Sequence, residues 1–231
     1  PAIMVTVDQS GASGGTYSLI GGIAANPQGS TKIVGCTVRG GTLGVNLEGV
    51  NSGDYLYIGG LAGGYYSGNS VTFQDCAVTD VQIVGKGVGF ALVYSGGILG
   101  ASRGATVLNC AVSGSTSISL AAGNGTGYGI TAGASGVTIE NCYSGIKGLP
   151  ITDSGAGSGT TIKYCYQLGD AGGAIGNATE SYTVTAGQAA GTDSAVIGAG
   201  STYANTPSLM EALNGWTGAQ GAGTYEPWGM S

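Results

Sequence analysis

Charge is what this sequence has least of. Its 231 residues include 6 basic and 12 acidic side chains and no histidine. Without histidine, imidazole general-base catalysis and imidazole metal ligation are excluded. The net charge of −6 and a pI near 4.2 leave no clustered Lys and Arg with which to release counterions from nucleic acid. Only Arg39 and Arg103 are arginines, and anionic partners in general are disfavoured by the overall balance. Prolines number five and keep no collagen period with the glycines. No apolar run approaches the ~20 residues of a membrane-spanning helix, so no membrane insertion is expected of this segment. No charged-then-apolar leader opens the sequence at Pro1, and it is read as the mature or trimmed part of a longer chain.

What is abundant is glycine, at 49 residues, alongside a 42% hydrophobic fraction rich in Val, Ile and Tyr. A chain so apolar has enough to bury, which argues against disorder. Few charges with a mean hydropathy of +0.24 point instead to an all-β protein that covers itself.

Internal repetition supplies the architecture. Ile20-Gly21-Gly22-Ile23 recurs as Ile58-Gly59-Gly60-Leu61 and as Ser95-Gly96-Gly97-Ile98. After each comes a strand built around a cysteine, K-I-V-G-C-T-V, T-F-Q-D-C-A-V or T-V-L-N-C-A-V, and shorter copies surround Cys142 and Cys165. Aligned on cysteine, the residue three before it is always apolar: Ile33, Phe73, Val107, Ile139 and Ile162. The residue two before it is Val34, Gln74, Leu108, Glu140 or Lys163, a mixture that only an outward position tolerates. The cysteines and Val38, Val78 and Val112 are expected to point inward.

Two inward positions three residues apart violate the period-two alternation of a strand, so the chain must turn between them. The residue just before the cysteine is Gly35, Asp75, Asn109 or Asn141, the types that enter left-handed backbone at least cost. Tyr164 is the exception and predicts a distorted last corner. Stacked corners of this kind specify a right-handed parallel β-helix of about five to six coils, with three strands to each coil. Loops are expected to project at 47–54 and 85–93. The domain reading is an N-terminal strand, cap or linker remnant over 1–16, a β-helix over 17–200 and a C-terminal cap over 201–231. Within that cap Thr206, Pro207 and the apolar Leu209, Met210 and Leu213 predict a short helix at 207–214, stopped by Gly215. Trp216 and Trp228 are expected to fold with it over the last coil.

The I-G-G-L-A-G segment at 58–63 with V-T-F-Q-D-C-A-V after it resembles the glycine-rich GLUG repeats of secreted and surface bacterial proteins. L-M-E-A-L-N-G-W at 209–216 and Y-E-P-W at 225–228 resemble the tail of such proteins, and the similarity is clearest over 17–112. The resemblance implies an exported, adhesin-like protein, extracellular or at the cell surface, and implies no catalytic residues.

Site by site, structural roles absorb most candidates. The five cysteines read as a buried free-thiol ladder, since parallel neighbours offer poor disulfide torsions and a line of thiolates cannot close a zinc tetrahedron. Glu140 and Lys163 share an outward column and read as a surface pair rather than catalytic groups. Glu48, Asn51 and Asp54 form only a partial calcium set. No catalytic residue, metal or cofactor is expected. The tyrosines, with Tyr55, Tyr57, Tyr65 and Tyr66 near the second Gly-Gly and Tyr94 and Tyr128 later, read as a stacked ladder or as a platform for sugars. Tyr65, Tyr66 and Arg103, all in loops after Gly-Gly, are the binding candidates. The leading function is a non-enzymatic surface module for a glycan or a host or bacterial surface protein. The alternative is a polysaccharide lyase or glycoside hydrolase, with regular threonine arrays for ice binding judged missing.

Overall fold

The computed structural model describes residues 2–8, 17–48, 54–64, 70–87, 92–120, 125–153, 159–168, 178–179, 182–184 and 209–229. Strands, numbered in chain order, fall into four sheets, and each ladder among the described residues is parallel.

Sheet 1 holds β1 (Ala2–Asp8), β5 (Thr42–Glu48), β9 (Gln82–Gly87) and β13 (Ser117–Leu120). Sheet 2 holds β2 (Tyr17–Gly21), β6 (Tyr55–Gly59), β10 (Leu92–Gly96) and β14 (Gly125–Tyr128). Sheet 3 carries the strand before each cysteine: β3 (Lys32–Val34), β7 (Thr72–Gln74), β11 (Thr106–Leu108), β15 (Thr138–Glu140), β17 (Thr161–Lys163), and beyond them β19 (Ala178–Thr179). Sheet 4 carries the strand after it: β4 (Thr37–Arg39), β8 (Ala77–Thr79), β12 (Ala111–Ser113), β16 (Tyr143–Ser144), β18 (Tyr166–Leu168), and finally β20 (Tyr182–Val184). From β2 to β13 the chain visits sheets 2, 3, 4 and 1 in the same order each time. This is the all-β arrangement of a parallel solenoid, with four strands in each of these three passes rather than the expected three, because the stretch before Gly-Gly is itself a strand. The expected strand at Ile3–Val7 lies within β1, which pairs in register with β5. Much of the expected loops at 47–54 and 85–93 lies outside the described residues, and β5 and β9 run into their starts.

The inward columns form the core. Phe73, Val107, Ile139 and Ile162 are fully buried and Ile33 nearly so, while Val78 and Val112 are fully buried two residues past the cysteines. The corners between sheets 3 and 4 are left-handed at Gly35, Asp75, Asn109 and Asn141, with φ of 63°, 53°, 52° and 50°. Tyr164 has φ of 53°, so the predicted distortion is absent: ladder pairing on both sides holds a residue type that rarely adopts this conformation. A second left-handed column follows five residues later, at Gly40, Asp80 and Gly114, where sheet 4 turns into sheet 1.

The Gly-Gly pairs answer a different need. A Cβ on Gly60 would lie 2.1 Å from the Gly97 carbonyl oxygen and 2.8 Å from a Val78 methyl. The inward valine file presses directly on the backbone here, and only hydrogen fits.

Helix α1 (Leu209–Ala219) runs past Gly215, longer than the expected 207–214. Burial of Trp216 and Thr217 outweighs the ~1 kcal/mol helix cost of a glycine. Among the described residues the C-terminal segment lies along the flank, where Leu209, Ala212, Leu213 and Trp228 pack with Tyr143, Tyr166 and Leu168. The corner ladder dictates this position, because its amides need partners. Asn141 Nδ2 donates to Leu213 O at 3.1 Å, and Asn109 Nδ2 donates to Glu226 O at 2.8 Å. Gln74 Nε2 reaches Thr224 O at 3.0 Å. No helix among the described residues is long and apolar enough to cross a membrane.

Candidate functional site

Side chains of sheet 2 alternate between its two faces. Leu56, Ile58 and Val93 are fully buried inward, Tyr55 and Tyr94 stand half-buried on the opposite face, and Tyr57 on that same face is buried at 6% exposure among the neighbouring rings. Parallel register sets Tyr17 against Tyr55, and Tyr57 against Tyr94. The rings follow that register. Tyr17 and Tyr55 lie with centroids 5.1 Å apart at 16°, and Tyr57 and Tyr94 at 5.6 Å and 15°. Tyr55 and Tyr57, two residues apart on β6, are near-parallel at 6.2 Å. The tyrosine ladder expected from the sequence therefore exists, at separations where offset stacking is favourable. Tyr128 lies close to Tyr94, and burial, then Asp153 and Tyr94, push its phenol above the ordinary value.

Beside the rings, small residues open a cleft. Tyr55, Tyr57 and Tyr94 line one part of it and Ala101, Ser102, Arg103 and Gly133 the rest, enclosing about 210 Å³. Arg103 is exposed, and its backbone bridges to Ser135. Ser102 is 1% exposed, and its Oγ has no hydrogen-bond partner among the described residues. Of the binding candidates, Arg103 is placed in the cleft, whereas Tyr65 and Tyr66 lie outside the described residues. Ser102 carried no signal in the sequence, being one serine among many in glycine-rich loops.

The other candidates do not assemble into chemistry. All five cysteines are free, with four buried and Cys36 half-buried. Thiols turn back to the carbonyl two residues before: Cys76 Sγ lies 3.1 Å from Gln74 O, and Cys110 Sγ 3.2 Å from Leu108 O. Burial holds the Cys110 and Cys142 thiols far above their ordinary range, and hydrogen bonding with Cys110 followed by burial does the same for Cys76. Such thiols are poor nucleophiles and poor metal ligands. Glu140 and Lys163 are register neighbours on sheet 3. Asp54 is buried, while Asn51 and the Glu48 side chain lie outside what is described. Among the described residues no three acids or cysteines gather as a metal site.

The threonines do form one regular file: Thr72, Thr106, Thr138 and Thr161 stand in register on sheet 3. The alignment on cysteine contained this file, four residues before each cysteine except Cys36, where Lys32 stands instead. It is one residue wide and half-buried, so it forms a structural hydroxyl row rather than a two-dimensional grid.

Comparisons with protein-family models, with curated proteins and with solved structures return no match for this chain.

Proposed function

We propose that the chain is a non-enzymatic, adhesin-like module of an exported bacterial surface protein. In this reading it is a right-handed β-helix of about five to six coils, the hand that nearly all parallel crossovers take, and it binds a glycan in the tyrosine cleft beside Arg103. The GLUG-like repeats support the exported setting. The observation that carries the binding reading is the cleft itself, three tyrosines beside a cation and a buried hydroxyl without a partner. Aromatic walls with a few placed polar groups are the usual composition of a small-ligand site. Hydrolysis is less well supported, because two-carboxylate chemistry needs a pair of acids and no Asp or Glu is among the described residues that line the cleft.

A glycan array probed with the wild-type chain and with Tyr94→Ala tests this. The expected result is retention of a glycan subset by the wild type and its loss in the variant. Incubation of the retained glycans with the protein is expected to release no reducing or unsaturated ends. Equal retention by the variant removes the site, and released ends remove the non-enzymatic reading.

A further inference from the structure

The C-terminal segment is held through its backbone, in the way an extended peptide ligand is held. At Glu226 both main-chain groups are bound at once: Glu226 N donates to Asp75 Oδ1 at 3.2 Å, and Glu226 O accepts from Asn109 Nδ2 at 2.8 Å. Two residues earlier Thr224 O accepts from Gln74 Nε2 at 3.0 Å, and two residues later the Trp228 indole N–H donates to Asn109 Oδ1. That period of two belongs to an extended chain beside a strand edge, with corner side chains taking the place of the edge. Glu226 and Pro227 are exposed, so position 226 is recognised by its main chain and side-chain recognition falls to Trp228.

The segment is also a body in itself. Asn214 of α1 clamps Trp228 in the same two-way manner, accepting from Trp228 N at 2.8 Å and donating to Trp228 O at 3.1 Å. Thr224 Oγ1 donates to Gln220 O at 3.1 Å, and Trp216 meets Tyr225 with ring centroids 4.8 Å apart. Helix and tail are therefore one unit, joined to the solenoid flank by side-chain bonds from the corner row and by the cluster around Tyr143 and Tyr166.

We infer that residues 209–229 are an exchangeable ligand of the corner row, and that two copies of the chain associate by each docking this unit on the other's Gln74, Asp75, Asn109 and Asn141. A second copy presents the same row to the same unit, so reciprocal exchange keeps every bond between them and closes as a symmetric pair. The connection is long enough. Residues 185–208 join β20 to α1, and at ~3.3–3.6 Å per extended residue they outreach the ~24 Å depth of six strands stacked at ~4.8 Å. Within one chain the tether raises the effective concentration of the unit, so exchange grows as protein concentration approaches that value. The inference is separate from the glycan reading: among the described residues that line the tyrosine cleft, none belongs to this row.

The test is complementation between two full-length variants. Asn109→Gly breaks the row and keeps the unit, whereas the double variant Leu213→Ala, Trp228→Ala keeps the row and weakens the unit. Each alone is expected to be monomeric by light scattering, with residues 209–229 cleaved by protease at least tenfold faster than in the wild type. Mixed, they are expected to form a one-to-one pair, the unit of the first on the row of the second, in which cleavage of the first variant's segment slows at least fivefold. The wild type refolded at ~1 mM, the effective concentration of a short tether, is expected to hold a dimer fraction at least tenfold larger than after refolding at roughly a hundredfold dilution. Gln74→Ala guards against unfolding as the cause of release, since it trims an outward side chain. It is expected to speed cleavage several-fold with the far-UV strand signal unchanged. If the mixture stays monomeric while both variants release the segment, exchange is overturned. If Asn109→Gly and Gln74→Ala both leave the segment as protected as in the wild type, the row does not hold the unit and the inference falls.

Discussion

Asn141 Nδ2 donates to Asn109 Oδ1 at 2.8 Å across two successive corners of the stack. Asn109 Nδ2 then donates to Asp75 Oδ1 at 2.6 Å, so the corner residues form a chain of side-chain bonds as well as a file of left-handed backbones. The C-terminal segment docks on this chain. Trp228 Nε1 donates to Asn109 Oδ1, and Glu226 N donates to Asp75 Oδ1 at 3.2 Å.

Asn109 thus serves two functions that substitution can separate. Asn109→Ala places a Cβ residue without local hydrogen bonding at φ 52°, costing ~1–2 kcal/mol, and removes bonds worth ~1 kcal/mol each. We expect a loss of about 3–4 kcal/mol in urea denaturation and faster proteolysis of residues 209–229. Asn109→Gly keeps the backbone comfortable and loses only the bonds, so it should be about 1–2 kcal/mol less damaging while releasing the C-terminal segment to the same degree. Equal stability of the two variants would mean that the corner conformation carries no strain.

Two glycine-to-alanine changes should go in opposite directions. Gly60→Ala sets a Cβ 2.1 Å from the Gly97 carbonyl oxygen, and backbone in a paired ladder cannot retreat. The variant is expected not to fold, and trimming Val78 to alanine as well should not rescue it. Gly218 lies in α1 with nothing within 4 Å of its ideal Cβ. Gly218→Ala should stabilise by about 1 kcal/mol, read as a raised urea midpoint with unchanged slope.

Much of this was legible because a solenoid repeats its constraints. The column of Ile33, Phe73, Val107, Ile139 and Ile162, the cysteine file and the four corners could be read from one alignment, since each position recurs in the same environment. The fourth strand was harder to see. Tyr55-Leu56-Tyr57 alternates plainly, but the Gly-Gly column at its end fits a strand or a corner equally well from sequence, and the close approach of Gly60 to Val78 shows only in the packing. The flank position of α1 was illegible because it depends on which side chains the corners leave unpaired, a property of three residues from three passes. The cleft was half legible. Tyrosines and Arg103 stood out by type, whereas Ser102 matters only through its burial.

The thiol ladder predicts a loss of stability in alkali. Cys76, Cys110 and Cys142 have folded pKa values raised above the ordinary thiol range, whereas unfolded thiols ionise near ~8.5. Above that pH the unfolded chain binds fewer protons than the folded one, so stability is fully present below it and falls as pH rises. Each such thiol contributes up to about 1.4 kcal/mol per pH unit. Tyr143, pushed up to about 12 by burial, adds a slope of the same sign once unfolded phenols ionise near ~10. Urea midpoints measured from pH 7 to 10.5 should therefore decline steadily above about pH 8.5. In Cys110→Ala the decline should be shallower by at least about one third between pH 8.5 and 10, because the substitution removes one thiol and also the hydrogen bonding that raises Cys76, whatever it costs at pH 7. An unchanged slope would show that the thiols ionise without unfolding.

Tyr164 marks where the corner chain stops. Its backbone is left-handed like the corners before it, a conformation that asparagine adopts more readily. On the preceding corner Asn141 Oδ1 is buried without a hydrogen-bond partner among the described residues. An asparagine at 164 would extend the pattern by one member, its amide donating to Asn141 as Asn141 donates to Asn109. Tyr164→Asn is therefore expected to gain about 1 kcal/mol, or roughly 2–4 °C in Tm for a chain of this size, after offsetting the contacts that the tyrosine ring makes. Tyr164→Gly separates the two sources of that gain, since glycine relieves the backbone but brings no donor. Asn more stable than Gly by at least about 0.5 kcal/mol supports an extended ladder. If Asn and Gly melt together, the stabilisation is backbone alone and the chain of amides ends at Asn141 for a reason other than the missing donor.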